Sequence, residues 1–155
     1  MGAKTNLLRY GITKETEFMH GLNELINDDN INIKRMEDQY ASVDFIITSK
    51  TNNLKLYIEL KSRTTDISKY NTFFIGRTKL CNISNIYDSD CVVLIWNDTF
   101  KNLFYKLYTD ELLNSNIKHI NGSDVFCINK SECKTSTIAT LAECIVKYHN
   151  QPTLD

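Results

Sequence analysis

Val43-Asp44-Phe45-Ile46-Ile47-Thr48 and, a few residues on, Leu54-Lys55-Leu56-Tyr57-Ile58-Glu59-Leu60-Lys61 are the stretch whose reading decides the fold. The first segment is rich in β-formers, and the second alternates apolar with polar residues throughout, the period of a strand with one buried face. Ser49-Lys50-Thr51-Asn52-Asn53 between them is turn chemistry, so antiparallel pairing as a hairpin is the simplest arrangement. Leu54, Leu56, Ile58 and Leu60 then face a core, and Tyr57, Glu59 and Lys61 share the opposite face. A two-residue turn centred on Thr51-Asn52 sets Asp44 opposite Glu59, whereas one centred on Asn52-Asn53 sets it opposite Lys61. In both registers Asp44 shares the Glu59 and Lys61 face, with directly opposed Cβ atoms roughly 4.5–5.5 Å apart. A turn of odd length would break this unless a bulge restored it.

Adjacent carboxylates repel each other and favour capture of a hard divalent cation. Mg²⁺ suits such a site, with Mn²⁺ as a substitute, because it takes oxygen ligands, keeps several waters and is held by one or two carboxylates plus substrate phosphate. Asp44 and Glu59 are the candidate metal ligands, and the Leu60 carbonyl is a candidate further oxygen. Lys61, on the same face, is placed to orient or deprotonate an attacking water and to offset charge in the transition state. This is the set of groups that a metal-dependent phosphodiesterase needs. The competing reading is a solvent-facing strand pair joined by a cross-strand ion pair, worth about 0.2–1 kcal/mol. An acid two residues before a lysine recurs at Glu132-Cys133-Lys134, but outside any alternating run and without an Asp at hairpin distance.

Upstream of the hairpin, Thr13 is a candidate cap for a helix with Phe18, Leu22, Leu25 and Ile26 on one stripe and acids in its first turn. Asn27-Asp28-Asp29-Asn30 ends it, and Ile31 and Ile33 alternate as in a short strand. Downstream, residues 69–76 read as a loop and extended segment, and residues 77–87 as a helix. Cys91 to Trp96 reads as a strand covered on both faces. Leu103 to Tyr108 and Asp124 to Ile128 read as outer strands, and Ser136 to Tyr148 as a helix with Ile138, Leu141, Ala142 and Ile145 inward. The order implies an α/β or α+β layer fold.

Composition sets the outer limits. With 155 residues, 42% of them hydrophobic, 5 Gly and 1 Pro, a single domain spanning 1–155 is expected. A chain of this length buries roughly 68–70% of its unfolded surface, enough for a core without disulfides. The five Cys, at 81, 91, 127, 133 and 144, form no CxxC or zinc spacing and read as reduced thiols of an intracellular protein, cytoplasmic or nuclear. No apolar run approaches the roughly 20 residues of a membrane span. Pro152, the sole proline, falls in the tail. Net charge is −1, yet residues 50–79 carry seven cations against Glu59 and Asp66, a local +5. Such a patch suits an anionic ligand such as nucleic acid, or is simply a solvated lysine-rich face. Arg77 and Lys79 fall where a phosphate clamp would sit, as does Tyr70. His20, His119 and His149 share no ligand spacing and are expected at the surface or in helix packing, and Trp96 is expected in the core.

Ser42-Val43-Asp44, the turn, Tyr57-Ile58-Glu59-Leu60-Lys61-Ser62-Arg63 and a preceding helix with Glu17 resemble the core of the PD-(D/E)XK nuclease superfamily. The similarity covers about residues 13–97, with residues 98–150 as an extension of strands and a helix. Lys69-Tyr70-Asn71-Thr72 through Lys79 is also similar to small nuclease-like proteins of large DNA viruses and phages. The resemblance implies a restriction-endonuclease-like core, a mixed central sheet flanked by helices, and a Mg²⁺-dependent endonuclease acting on DNA, including branched or junction DNA. It makes Asp44 and Glu59 metal ligands, Lys61 the catalytic lysine and Glu17 a further ligand, with Glu15 and Glu24 as competitors for that last role. Arg63, Tyr70, Arg77 and Lys79 become candidate substrate contacts. Related junction resolvases act as dimers, so a homodimer is the implied assembly. Val43 stands where the family's motif has proline. A noncatalytic DNA-binding or assembly module that keeps the fold is the alternative.

Overall fold

A computed structural model describes residues 2–37 and 42–151, with side chains on the first helix described from Thr13 onward; Pro152 lies outside the described residues. The elements run α1 (Gly2–Ile26), β1 (Ile31–Arg35), β2 (Phe45–Ser49), β3 (Lys55–Arg63), β4 (Thr72–Gly76), α2 (Arg77–Ile86), β5 (Val92–Asp98), β6 (Leu103–Leu107), β7 (Ile117–Ile120), β8 (Ser123–Asn129), β9 (Lys134–Ser136) and α3 (Ile138–His149). A mixed sheet has the order β1-β2-β3-β5-β6-β9, and a smaller sheet has the order β4-β8-β7. Among the described residues only the β3–β5 pairing is parallel, and its crossover runs through β4 and α2.

The hairpin register is the one centred on Thr51-Asn52: Phe45 pairs with Ile58 and Thr48 with Lys55, which sets Asp44 against Glu59. The connection is longer than a two-residue turn, since the ladder closes at Thr48 and Lys55. Its even length preserves the face. Side chains hold the loop shut: Asn30 Nδ2 donates to Ser49 Oγ and Thr51 Oγ1, each at 3.0 Å, and Asn52 Nδ2 reaches the His149 carbonyl at 2.8 Å.

Two apolar layers lie on either side of the large sheet. On one, Leu56, Ile58 and Leu60 of β3 and Val93 and Ile95 of β5 meet Phe18, Leu22 and Ile26 of α1 and Leu141, Ala142 and Ile145 of α3. On the other, Val92, Leu94 and Trp96 of β5 meet Phe73 and Ile75 of β4, Leu80 and Ile83 of α2, and Phe126 and Ile128 of β8. The apolar run of β5 is therefore buried on both faces, as its composition implies. Trp96 is a core residue, 2% exposed, with its indole N–H on the Phe74 carbonyl.

The helix at the start departs from the sequence reading. Thr13 does not cap it, because the helix continues back to Gly2. The first-turn acids expected there are mid-helix. Leu25, assigned to the apolar stripe, is 48% exposed. At its other end α1 stops at Ile26, where Asn27 takes a left-handed conformation (φ 41°) that asparagine tolerates. The sequence reading did not include β7, β9 or the existence of a second sheet.

Candidate active site

Strand β3 carries its polar face outward in steps. Tyr57 packs against Tyr87 with ring centroids 4.4 Å apart, Glu59 is 1% exposed, the Lys61 side chain is 25% exposed, and Arg63 is at the surface. Charge thus emerges from the core along one strand. The reading that put Glu59 on an open polar face is corrected here: α2 and the smaller sheet cover that face, so Glu59 is a buried carboxylate.

Three elements close around it. Asp44, immediately before β2, accepts the Leu60 backbone N–H through Oδ2 at 2.7 Å, while its own N–H donates to the Ile58 carbonyl at 2.8 Å. Those two bonds lock the carboxylate against β3. From α2, the Lys79 ammonium donates to Glu59 Oε1 at 2.9 Å, and Lys61 lies 3.3 Å from the same oxygen. Glu59 Oε2 is buried and has no hydrogen-bond partner among the described residues. From α1, the Glu15 carboxylate lies near enough to Asp44 to raise its pKa, and it also pairs with Arg35 at 3.6 Å.

Glu17 is elsewhere on the helix, with its side chain 60% exposed and paired to Lys14 at 3.2 Å. Adjacent acids two residues apart on a helix point roughly 200° apart, so only one can face the sheet. That one is Glu15.

Burial is the main influence on the two central acids. It pushes Asp44 up to about 6, opposed by the Leu60 N–H and reinforced by Glu15. Glu59 is likewise raised, first by burial and then by Asp44, with Lys61 and Lys79 pulling the other way. Burial alone would lower the Lys79 ammonium, but the attraction of Glu59, Asp44 and Glu15 outweighs it and leaves it raised. Carboxylates held above their ordinary range inside a charged cluster mark a site where charge is concentrated at a cost to the fold.

The donor set fits a hard divalent cation of the open kind. Asp44 and Glu59 offer carboxylate oxygens on one face, and the orphaned Glu59 Oε2 is a buried acceptor lacking a donor. Among the described residues no three His, Cys, Asp or Glu side chains already converge as a closed cage. Mg²⁺ does not need one, since waters and substrate phosphate complete its shell.

The remaining candidates spread along the rim. Arg77 pairs with Asp124 at 3.4 Å and, with Ser42, Thr78 and Lys79, lines a cleft of about 590 Å³. His119 bonds the same Asp124 at 2.8 Å. Arg63 and the half-exposed Tyr70 line a separate cavity. Lys79, read from the sequence as a phosphate contact, is instead the closest cation to Glu59. His20 is exposed, whereas His149 is fully buried on α3 with neither ring nitrogen bonded, so the histidines form no ligand group. All five cysteines are free thiols. No described helix is long and apolar enough to cross a membrane.

A helix packed on a hairpin that presents Asp and Glu-x-Lys, then a crossover to a parallel strand, is a fold this chain shares with solved nuclease structures. D212, a nuclease from a fusselovirus, shares it with a TM-score of 0.50 at 17% identity, covering 97% of this chain and 95% of that one. Hjc, a Holliday junction resolvase from the archaeal hyperthermophile Archaeoglobus fulgidus, aligns with a TM-score of 0.46 at 12% identity, covering 82% of this chain and 98% of the resolvase. No protein-family model matches the sequence, and no curated protein matches it. At such identities the likeness is one of fold.

Proposed function

We propose that this chain is a divalent-metal-dependent endonuclease that hydrolyses phosphodiester bonds in DNA, with Mg²⁺ as its ion. The observation that carries the proposal is the pairing of Asp44 with a buried, half-satisfied Glu59 beside Lys61 on a single strand face. A fold alone hosts many functions, so the site and not the likeness supports the activity.

In this reading Asp44 and Glu59 hold the ion, with the Leu60 carbonyl as a third oxygen and Glu15 behind Asp44. The bound ion would supply Lewis-acid activation of the phosphoryl group and of water. Lys61 positions the attacking water and offsets the charge that develops on the phosphoryl oxygens. Lys79 makes the shorter of the two ion pairs to Glu59 Oε1 and so favours its charged form and fixes its orientation. Arg63 and Arg77, which line separate cavities, engage backbone phosphates.

The ion pairs of Lys61 and Lys79 with Glu59 also favour a second reading, in which the charges are a structural network inside a noncatalytic DNA-binding module. Incubation with duplex, single-stranded and branched DNA in Mg²⁺ and Mn²⁺ separates the two. Metal-dependent cleavage that Lys61→Ala abolishes is the expected result. Binding without cleavage on every form would establish the second reading.

A further inference from the structure

Next to Lys61, and not part of the carboxylate cluster, is a cavity of about 310 Å³ lined by Arg63, Ile67, Tyr70, Phe73, Phe74 and Trp96, together with threonines at its rim. Its relation to the active site is fixed by register, because Lys61 pairs directly with Trp96 across the β3–β5 ladder. Arg63, two residues further along β3, lies about 6.6 Å past Lys61 at strand rise. The floor is aromatic: Phe73 and Trp96 stack at 5.3 Å with their planes 19° apart, and both are buried. Tyr70 is 50% exposed at the edge.

We propose that this cavity receives a single unpaired nucleobase next to the phosphate being cut, and therefore that the substrate is DNA carrying an unpaired nucleotide. The proposal rests on the nuclease reading and adds the substrate class to it. Its size is at the lower limit of ligand sites, which admits one base and excludes a base pair. Its aromatic lining suits a flat neutral ring, which aromatic platforms bind by stacking regardless of sequence. No lining residue is acidic, and the cations Arg63 and Lys61 stand on the side where the backbone of that nucleotide would run. A base within a duplex stack cannot reach such a floor without being extruded, and an already unpaired base avoids that cost.

The test measures binding in EDTA, so that no cleavage intervenes. Two duplexes are compared that differ only in whether their one unpaired position carries a base or is abasic. The parent should bind the base-containing form about 10-fold tighter, the scale of one base stacked on an aromatic side chain. Tyr70→Ala should bring that ratio to within about twofold of unity while Tyr70→Phe retains it, the difference being the ring itself. Thr65→Trp, which fills the cavity from an exposed rim position, should abolish the preference without touching the floor. A parent ratio near unity in a protein that still binds and cuts DNA overturns the base site and leaves the nuclease reading standing. Failure to bind or cut any DNA form overturns the nuclease reading and the base site with it. A preference absent in the parent, with Tyr70→Ala altering the protein's own oligomeric state, would assign the cavity to a second copy of the chain and likewise overturn the proposal.

Discussion

The two faces of β3 are built from the same nine residues and behave as two different materials. Leu56, Ile58 and Leu60 enter a dry layer of apolar side chains under α1 and α3. Tyr57, Glu59, Lys61 and Arg63 enter the other layer, where a core is interrupted by a carboxylate that burial disfavours. One face holds the fold together. The other spends part of that stability on holding charge where water would otherwise disperse it, a trade expected at functional sites.

Breaking the dry face should have the largest effect. Ile58 is fully buried, so Ile58→Ala should cost about 2–5 kcal/mol of unfolding free energy, measured by chemical denaturation. A smaller loss would mean that the layer collapses around the gap.

Breaking the charged face should leave stability alone and remove activity. Lys61→Ala should lower Mn²⁺-dependent cleavage by roughly 10²–10³ or more, the range for a single electrostatic group in an active site. Its melting temperature should change little, since the Lys61 side chain belongs to neither apolar cluster and Lys79 still pairs with Glu59. Parallel loss of melting temperature and activity would reduce its role to structure.

The contrast between the faces sharpens with pH. Folding raises Asp44 from 3.8 to about 6, so in the window between those values the folded chain binds more protons than the unfolded one. Stability is then fully present below about pH 4 and falls as pH rises to about 6, by at most about 3 kcal/mol. Asp44→Asn should remove that slope and, without divalent metal, melt above the parent at pH 7 but with it at pH 4. Adding Mg²⁺ or Mn²⁺ at pH 7 should raise the parent alone. If the parent instead gains stability between pH 4 and 6, the lysines govern Asp44 and the burial account is wrong.

The smallest effect belongs to the rim. Arg77 and Asp124 are both exposed, so Arg77→Ala should leave melting unchanged. If the guanidinium contacts a phosphate, the salt dependence of DNA binding should lose about one unit of slope. An unchanged slope removes Arg77 from the interface.

The hairpin and the face that Asp44 shares with Glu59 and Lys61 were legible because β3 alternates without a fault and the turn residues are grouped between two runs of β-formers, whereas the choice between the two even registers was not. The β5 strand was legible from its unbroken apolar run. What covers Glu59 was not, because the cover comes from β4, α2 and β8, distant in sequence, and β7 beyond them has Ile117, Lys118 and His119 all exposed and gives no period. The choice between Glu15 and Glu17 depends on the rotation of α1, fixed by how Phe18, Leu22 and Ile26 seat on the sheet. Sequence supplies the acids but not that rotation. The position of Lys79 against Glu59 follows from the β4–α2 junction at Gly76, a tertiary placement that spacing along the chain does not encode.

The ladder that sets Asp44 opposite Glu59 gives this hairpin a reading frame of its own. Insertions within residues 50–53 lengthen a loop and leave the strands in step. A single residue gained or lost between Lys55 and Ile58 would, with the turn held, exchange the two faces, pressing Glu59 into the aliphatic layer and turning Leu60 toward the lysines. Diverging copies of such a chain can therefore vary freely at the loop but only by whole two-residue steps along the strand.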